Sequence, residues 1–261
     1  MKIAFIGAGA MGGAMAEGFV KSGLFAPADV TVSAPHKSTT DRFAALGVNA
    51  TCDNREAAMG ADVVVVAVKP WLVGEVVAEI KPVLDYSRQT ILSVAAGVSG
   101  ADLTAMLERD GGSLPPVFIA IPNIAIAIGC SMTYVLPVNT PGEGDTRRMA
   151  DMFNAVGETM IIEERLLPAV VQSSCSIAYA MRYIGASVAG FVQLGFKAAA
   201  ARDVVLQTVK GAVAILQANG TLPEAEIYKV TTPGGYTIRG LNEMERAGFT
   251  NAVIRGLVDN K

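Results

Sequence analysis

The sequence predicts an α/β protein, with a parallel sheet covered by helices over residues 1–160 and an all-helical domain over residues 161–261. Three observations predict it. Short β-rich runs alternate with helix-like runs over the first two-thirds of the chain, several of those runs are almost continuous in Val and Ile, and from Glu164 onward the pattern becomes almost wholly helical. The boundary rests on that change of periodicity.

In order, residues 2–6 (KIAFI) read as a strand, 11–23 as a helix, 29–33 as a strand and 38–46 as a helix. Residues 62–68 (DVVVVAV) read as a strand buried on both faces, followed by a helix over 72–84, a strand over 90–94 and a helix over 101–109. Strands over 117–121 and 131–136 complete the series. Beyond Glu164, the run from Leu166 to Phe196 carries Arg182 as its single charged residue. A helix apolar on every side must be covered on every side, and a helical domain of this size cannot enclose it alone. A homodimer or higher homo-oligomer formed through the C-terminal helices is therefore expected.

Composition narrows the function. With 51% hydrophobic and 17% charged residues the 261-residue chain is core-rich, which excludes disorder. A net charge of −3 supplies no basic face for polymer phosphates, so no nucleic-acid partner is expected. Cys52, Cys130 and Cys175 fit neither a disulfide framework nor C-x-x-C spacing, and His36 is the only imidazole, so no metal site is expected and a reducing, cytoplasmic location is. Glycines interrupt the apolar N-terminus, and prolines at 115, 116, 122 and 137 interrupt the uncharged stretch from Gly111 to Gly142. No membrane partner is expected.

Gly7-Ala8-Gly9-Ala10-Met11-Gly12 follows the first strand and opens a helix. Gly7 permits the tight turn, Gly9 admits a pyrophosphate close to the backbone, Gly12 lets helix and strand pack, and the helix N-terminus offers free N–H groups. A turn without ligand is the alternative; in this context the pattern reads as a Rossmann-like dinucleotide site. After the second strand, Ser33-Ala34-Pro35-His36-Lys37 holds no carboxylate for a ribose 2′-OH, and its hydroxyl and basic groups favour NADP, with NADPH preferred and NADH possible. An ordinary polar loop is the competing reading.

Near the C-terminus, Thr231-Thr232-Pro233-Gly234-Gly235-Tyr236-Thr237 precedes a helical run. Unobstructed N–H groups and two hydroxyls make a small anion-binding pocket suited to a carboxylate, though a turn with an N-cap Thr reads equally well from these residues alone.

These motifs, together with Val68-Lys69-Pro70 after the Val strand, Ala95-Ala96-Gly97, Pro122-Asn123 and VTTPGGYTIRGLNEME at 230–245, resemble the pyrroline-5-carboxylate reductase family. The resemblance implies a dinucleotide domain followed by a helical dimerisation domain. It also implies reduction of the cyclic imino acid 1-pyrroline-5-carboxylate to L-proline with NADPH or NADH, the last step of proline biosynthesis. It places Gly7 to Gly12 on the pyrophosphate, Ser33 and His36-Lys37 near the adenosine 2′ position, and Asn54 on the adenosine ribose. Val68, Lys69, Pro70, Ala95, Ala96, Gly97 and Asn123 would line the ribose and nicotinamide. Thr232, Gly234, Gly235 and Thr237 would form the substrate pocket, with Thr237 as the catalytic hydroxyl donating to the ring nitrogen. The family pattern is altered at 119–121, 173–177, 220 and 226–228. Two other functions remain open on the residues: a 3-hydroxyacid dehydrogenase using Lys197, and a non-catalytic dinucleotide-binding regulatory protein.

Overall fold

The computed structural model describes residues 1–258. Its contacts fall into two compact units, Met1–Ser174 and the remainder from Cys175. The division lies inside a long helix.

The first unit is built on one eight-stranded sheet. Its strands are β1 (Ile3–Ile6), β2 (Val30–Ser33), β3 (Asn49–Thr51), β4 (Val63–Val66), β5 (Thr90–Ser93), β6 (Val117–Ile121), β7 (Ser131–Pro137) and β8 (Gly157–Ile161), in the spatial order β3-β2-β1-β4-β5-β6-β7-β8. All neighbours are parallel except β6 and β7, where Phe118 faces Pro137 and Ile121 faces Tyr134 in an antiparallel register. The expected sheet is thus present, with one reversal and two strands, β3 and β8, that the residue pattern does not reveal. β3 has only three residues and β8 alternates weakly.

The helices of this unit are α1 (Ala10–Lys21), α2 (Lys37–Ala44), α3 (Asn54–Met59), α4 (Val73–Ile80), α5 (Gly100–Leu107) and α6 (Glu143–Asn154). The helix expected over 72–84 is shorter because Pro82 lacks an N–H and the chain tightens into a 3-10 turn at Lys81–Val83. Alternation along each strand feeds two cores, one on each face. Ile3, Phe5, Val63, Val65 and Phe118 pack with Met15 and Phe19 of α1, Phe43 of α2 and Phe153 of α6. Ala4, Ile6, Val64, Val66 and Ile119 pack with Val77 of α4 and Leu103 of α5 on the opposite face. The rings of Phe19 and Phe25 meet edge to face at 5.6 Å.

Close backbone packing fixes α1 in place. A Cβ on Gly18 would sit 2.2 Å from the carbonyl oxygen of Ile126, in the 3-10 segment Ile124–Ile128. Only hydrogen fits there.

The helical elements are α7 (Leu167–Gln193), α8 (Ala198–Asn219), α9 (Pro223–Lys229), α10 (Tyr236–Arg246) and α11 (Phe249–Val258). In the second unit, Tyr183 of α7 packs its ring on Phe249 of α11 at 6.2 Å, and the Tyr179 hydroxyl donates to the Gly256 carbonyl at 3.0 Å. Glu164–Gln193 is long and apolar enough by composition to cross a membrane, and Met181 of α7 is 58% exposed in the single chain.

Candidate active site

β1 ends in a turn that only glycine can make. Gly7 has φ +101°, its N–H donates to the Ser33 carbonyl at 3.0 Å, and a Cβ on it would stand 2.8 Å from the Ala67 carbonyl oxygen. Gly12 is tighter still, because a Cβ there would come to 2.1 Å from the Gly7 oxygen. Gly9 is the N-cap of α1, receives no side-chain cap and has no atom within 4 Å of the place a Cβ would occupy. The turn therefore presents bare backbone to open space, and the first N–H groups of α1 are left for an outside acceptor.

In front of that turn lies a cleft of about 510 Å³. That is within the roughly 300–1,000 Å³ usual for small-molecule sites. Of the residues expected to hold a cofactor, Gly7, Ala8, Gly9, Ala10, Met11, His36, Val68, Lys69, Pro70, Ala95 and Ala96 line it. They come from four separate βα connections at the carboxyl ends of β1, β2, β4 and β5, the edge at which open parallel sheets bind ligands. Ala34, Pro35, Thr39, Ala67, Leu72 and Val94 line it as well. Thr39 was legible in principle, since it lies in the first turn of the helix that follows His36.

Among the described residues, Gly12, Ser33, Lys37, Asn54, Gly97 and Asn123 do not form part of that lining. Gly12 lies against Gly7 behind the turn. Ser33 is fully buried, and its hydroxyl donates to Asn54 Oδ1 at 2.7 Å, while Asn54 Nδ2 donates to Glu79 Oε2 at 2.8 Å. Asn123 caps the 3-10 segment by accepting from the Ala125 N–H at 3.0 Å. Lys37 is the exposed first residue of α2, and Gly97 takes φ +89° in the connection after β5.

In the second unit, the Thr232 carbonyl accepts from the Gly235 N–H at 3.0 Å, closing a turn around Pro233 and Gly234, with Gly234 at φ +69°. A Cβ on Gly235 would lie 2.3 Å from Thr232 Oγ1, so the hydroxyl rests over the glycine. Gly235 is the N-cap of α10 without a side-chain cap, which again leaves helix N–H groups unclaimed. Thr232, Gly234, Gly235 and Thr237 thus surround one helix N-terminus, and Thr237, in its first turn, is exposed.

The segment leading into the turn is braced by Glu226. Its Oε1 accepts from Lys229 Nζ at 2.8 Å, from Thr221 Oγ1 at 2.6 Å and from Asn219 Nδ2 at 3.1 Å. Those bonds, led by Lys229 and Thr221, lower the Glu226 carboxyl to about 2. Lys197 is the N-cap of α8, after α7 ends at Gln193 and the chain turns at Gly195.

Comparison with known proteins agrees with this geometry. The family description "Pyrroline-5-carboxylate reductase dimerisation" matches residues 163–260, and "NADP oxidoreductase coenzyme F420-dependent" matches residues 2–97. The chain is 34% identical to pyrroline-5-carboxylate reductase 1 of Dictyostelium discoideum over 98% of its own length, although it spans only 48% of that longer protein. It is 33% identical to pyrroline-5-carboxylate reductase of Escherichia coli (strain K12), covering 98% of this chain and 94% of the relative. The crystal structure of Plasmodium falciparum pyrroline carboxylate reductase with NADP bound superposes with a TM-score of 0.88 at 26% identity, over 98% of this chain and 94% of that one. A glycine turn built for a dinucleotide, a Pro-Gly-Gly helix start and near-complete alignment with these enzymes lead to one conclusion: the chain belongs to the pyrroline-5-carboxylate reductase family.

Proposed function

We propose that this protein reduces the C=N bond of 1-pyrroline-5-carboxylate to L-proline, using NADPH in preference to NADH. The observation that carries the reading is a pair of uncapped helix N-termini in one chain, Gly9 before α1 and Gly235 before α10, in a member of a reductase family. Residues 1–160 act as the cofactor domain and 161–261 as the substrate and dimerisation domain, supported by the family match over 163–260.

The glycine turn fits a dinucleotide, because Gly9 leaves open the space above it that any larger residue would enter. Bound NADPH supplies the hydride. The α1 N–H groups hold its pyrophosphate, and His36 with Lys37 attracts the 2′-phosphate from the exposed edge after β2. Val68, Lys69, Pro70, Ala95 and Ala96 would hold the ribose and nicotinamide, together with Gly97 and Asn123. Asn54, held by Ser33 and Glu79, would contact the adenosine ribose. At α10, the N–H groups after Gly235 grip the substrate carboxylate, Thr232 completes the cradle, and the Thr237 hydroxyl donates to the ring nitrogen. A protonated imine is already electrophilic and has no nitrogen lone pair, so the Thr237 hydroxyl donates to the pair that forms on nitrogen as the C=N bond is reduced, and positioning accounts for most of the acceleration.

The working species is a homodimer or higher homo-oligomer in the cytoplasm, in which a second copy, not lipid, covers the apolar surface of α7. The dimerisation match spanning α7 supports that choice. The test is an assay of NADPH oxidation with pyrroline-5-carboxylate, with proline identified as product. Absence of turnover with this imine, in protein that binds NADPH, overturns the reading.

A further inference from the structure

The glycine turn separates two recesses. Behind the cleft lies a smaller one of about 260 Å³, where Ala8, Gly9 and Ala10 meet Gly13, Glu17 and Arg42. Arg42 reaches it from α2. Its guanidinium lies 4.6 Å from the Phe43 ring centroid, and a Cβ on Gly13 would stand 3.0 Å from its Nη2. The exposed side chain thus rests beside the first turn of α1. Among the described residues it has no ion-pair partner, and Glu17, the acid of the same recess, is turned to Lys21 at 3.5 Å. A cation beside the positive end of a helix dipole is unfavourable unless an anion joins them.

We propose that Arg42 is a cofactor-contacting residue whose guanidinium donates to the pyrophosphate, alongside the α1 N–H groups. The proposal rests on the dinucleotide reading above. The pyrophosphate is favoured over the 2′-phosphate because Ala8, Gly9 and Ala10 line both recesses, whereas Pro35, His36 and Thr39 line the cleft alone.

The test is fluorescence titration of the full chain with NADPH and with NADH, in wild type, Arg42→Met and Arg42→Lys, with thermal midpoints recorded to show that all three are folded. Loss of one charge-assisted contact is expected to weaken both dinucleotides by about tenfold in Arg42→Met. Arg42→Lys is expected to recover part of the affinity, since it restores charge without the fork. An unchanged affinity for both dinucleotides overturns the proposal, and so does a loss confined to NADPH, which would move Arg42 to the 2′-phosphate. Failure of the wild type to bind either dinucleotide strikes the underlying reading itself.

Discussion

A Cβ on Gly12 would stand 2.1 Å from the carbonyl oxygen of Gly7, whereas one on Gly9 would touch nothing within 4 Å. The two glycines of one turn therefore have opposite reasons to be there. Gly12→Ala is expected to cost on the order of 1–3 kcal/mol of stability through overpacking, and to abolish NADPH binding by distorting the turn. Gly9→Ala is expected to leave stability within about 0.5 kcal/mol, yet to weaken NADPH, because its methyl enters the ligand's space. Urea unfolding and NADPH titration of both variants check the contrast, and an undisturbed Gly12→Ala would contradict it.

Gly18 lies mid-helix, where alanine ordinarily stabilises by about 1 kcal/mol. Here the nearest atom to an added Cβ is backbone, the Ile126 oxygen at 2.2 Å. Gly18→Ala is expected to destabilise, by on the order of 1–3 kcal/mol, with the sign of the change as the readout.

Thr237→Val keeps the shape of the side chain and removes the hydroxyl. A fall of about 100-fold in kcat with pyrroline-5-carboxylate is expected, with Thr237→Ser retaining most activity. Equal activity of Thr237→Val and wild type would remove the hydroxyl from the mechanism.

Glu226 is depressed from 4.5 to about 2 in the folded chain. A lowered carboxyl contributes stability above its unfolded value, and that contribution drains away as pH falls from about 4.5 towards 2. Glu226→Gln is expected to be less stable than wild type at neutral pH and to show a shallower loss on acidification. Parallel unfolding-versus-pH curves for the two proteins would sink this expectation.

The purified chain, 27.1 kDa as a monomer, is expected to sediment at twice that mass or more. A stable monomer at micromolar concentration would leave α7 uncovered, contrary to the proposed assembly.

The strands that the residues announced clearly are those buried on both faces. Val63–Val66 sits inside the expected 62–68, and Val117–Ile121 coincides with its expected range, because continuous β-branched runs have few other uses. α6 was not among the expected helices, although Met149, Met152 and Phe153 stand at helical spacing on its buried side. The reversal at β7 follows from chain length, because too few residues separate Ile121 from Ser131 for a crossover helix. At the candidate site, the glycine turn was legible because its chemistry is local. Arg42 was not, because its relation to the turn arises from the packing of α2 on α1.

The inward-turned Ser33 has a consequence for anyone rewriting cofactor choice. Installing an acid at the end of the second strand, the common route towards NADH, would here place a carboxylate at a position with no solvent exposure, facing Asn54 and, beyond it, Glu79. Such a swap would unsettle the sheet before it altered selectivity. Re-engineering of this scaffold belongs one loop further on, at the exposed His36 and Lys37, where a change of charge costs the fold little.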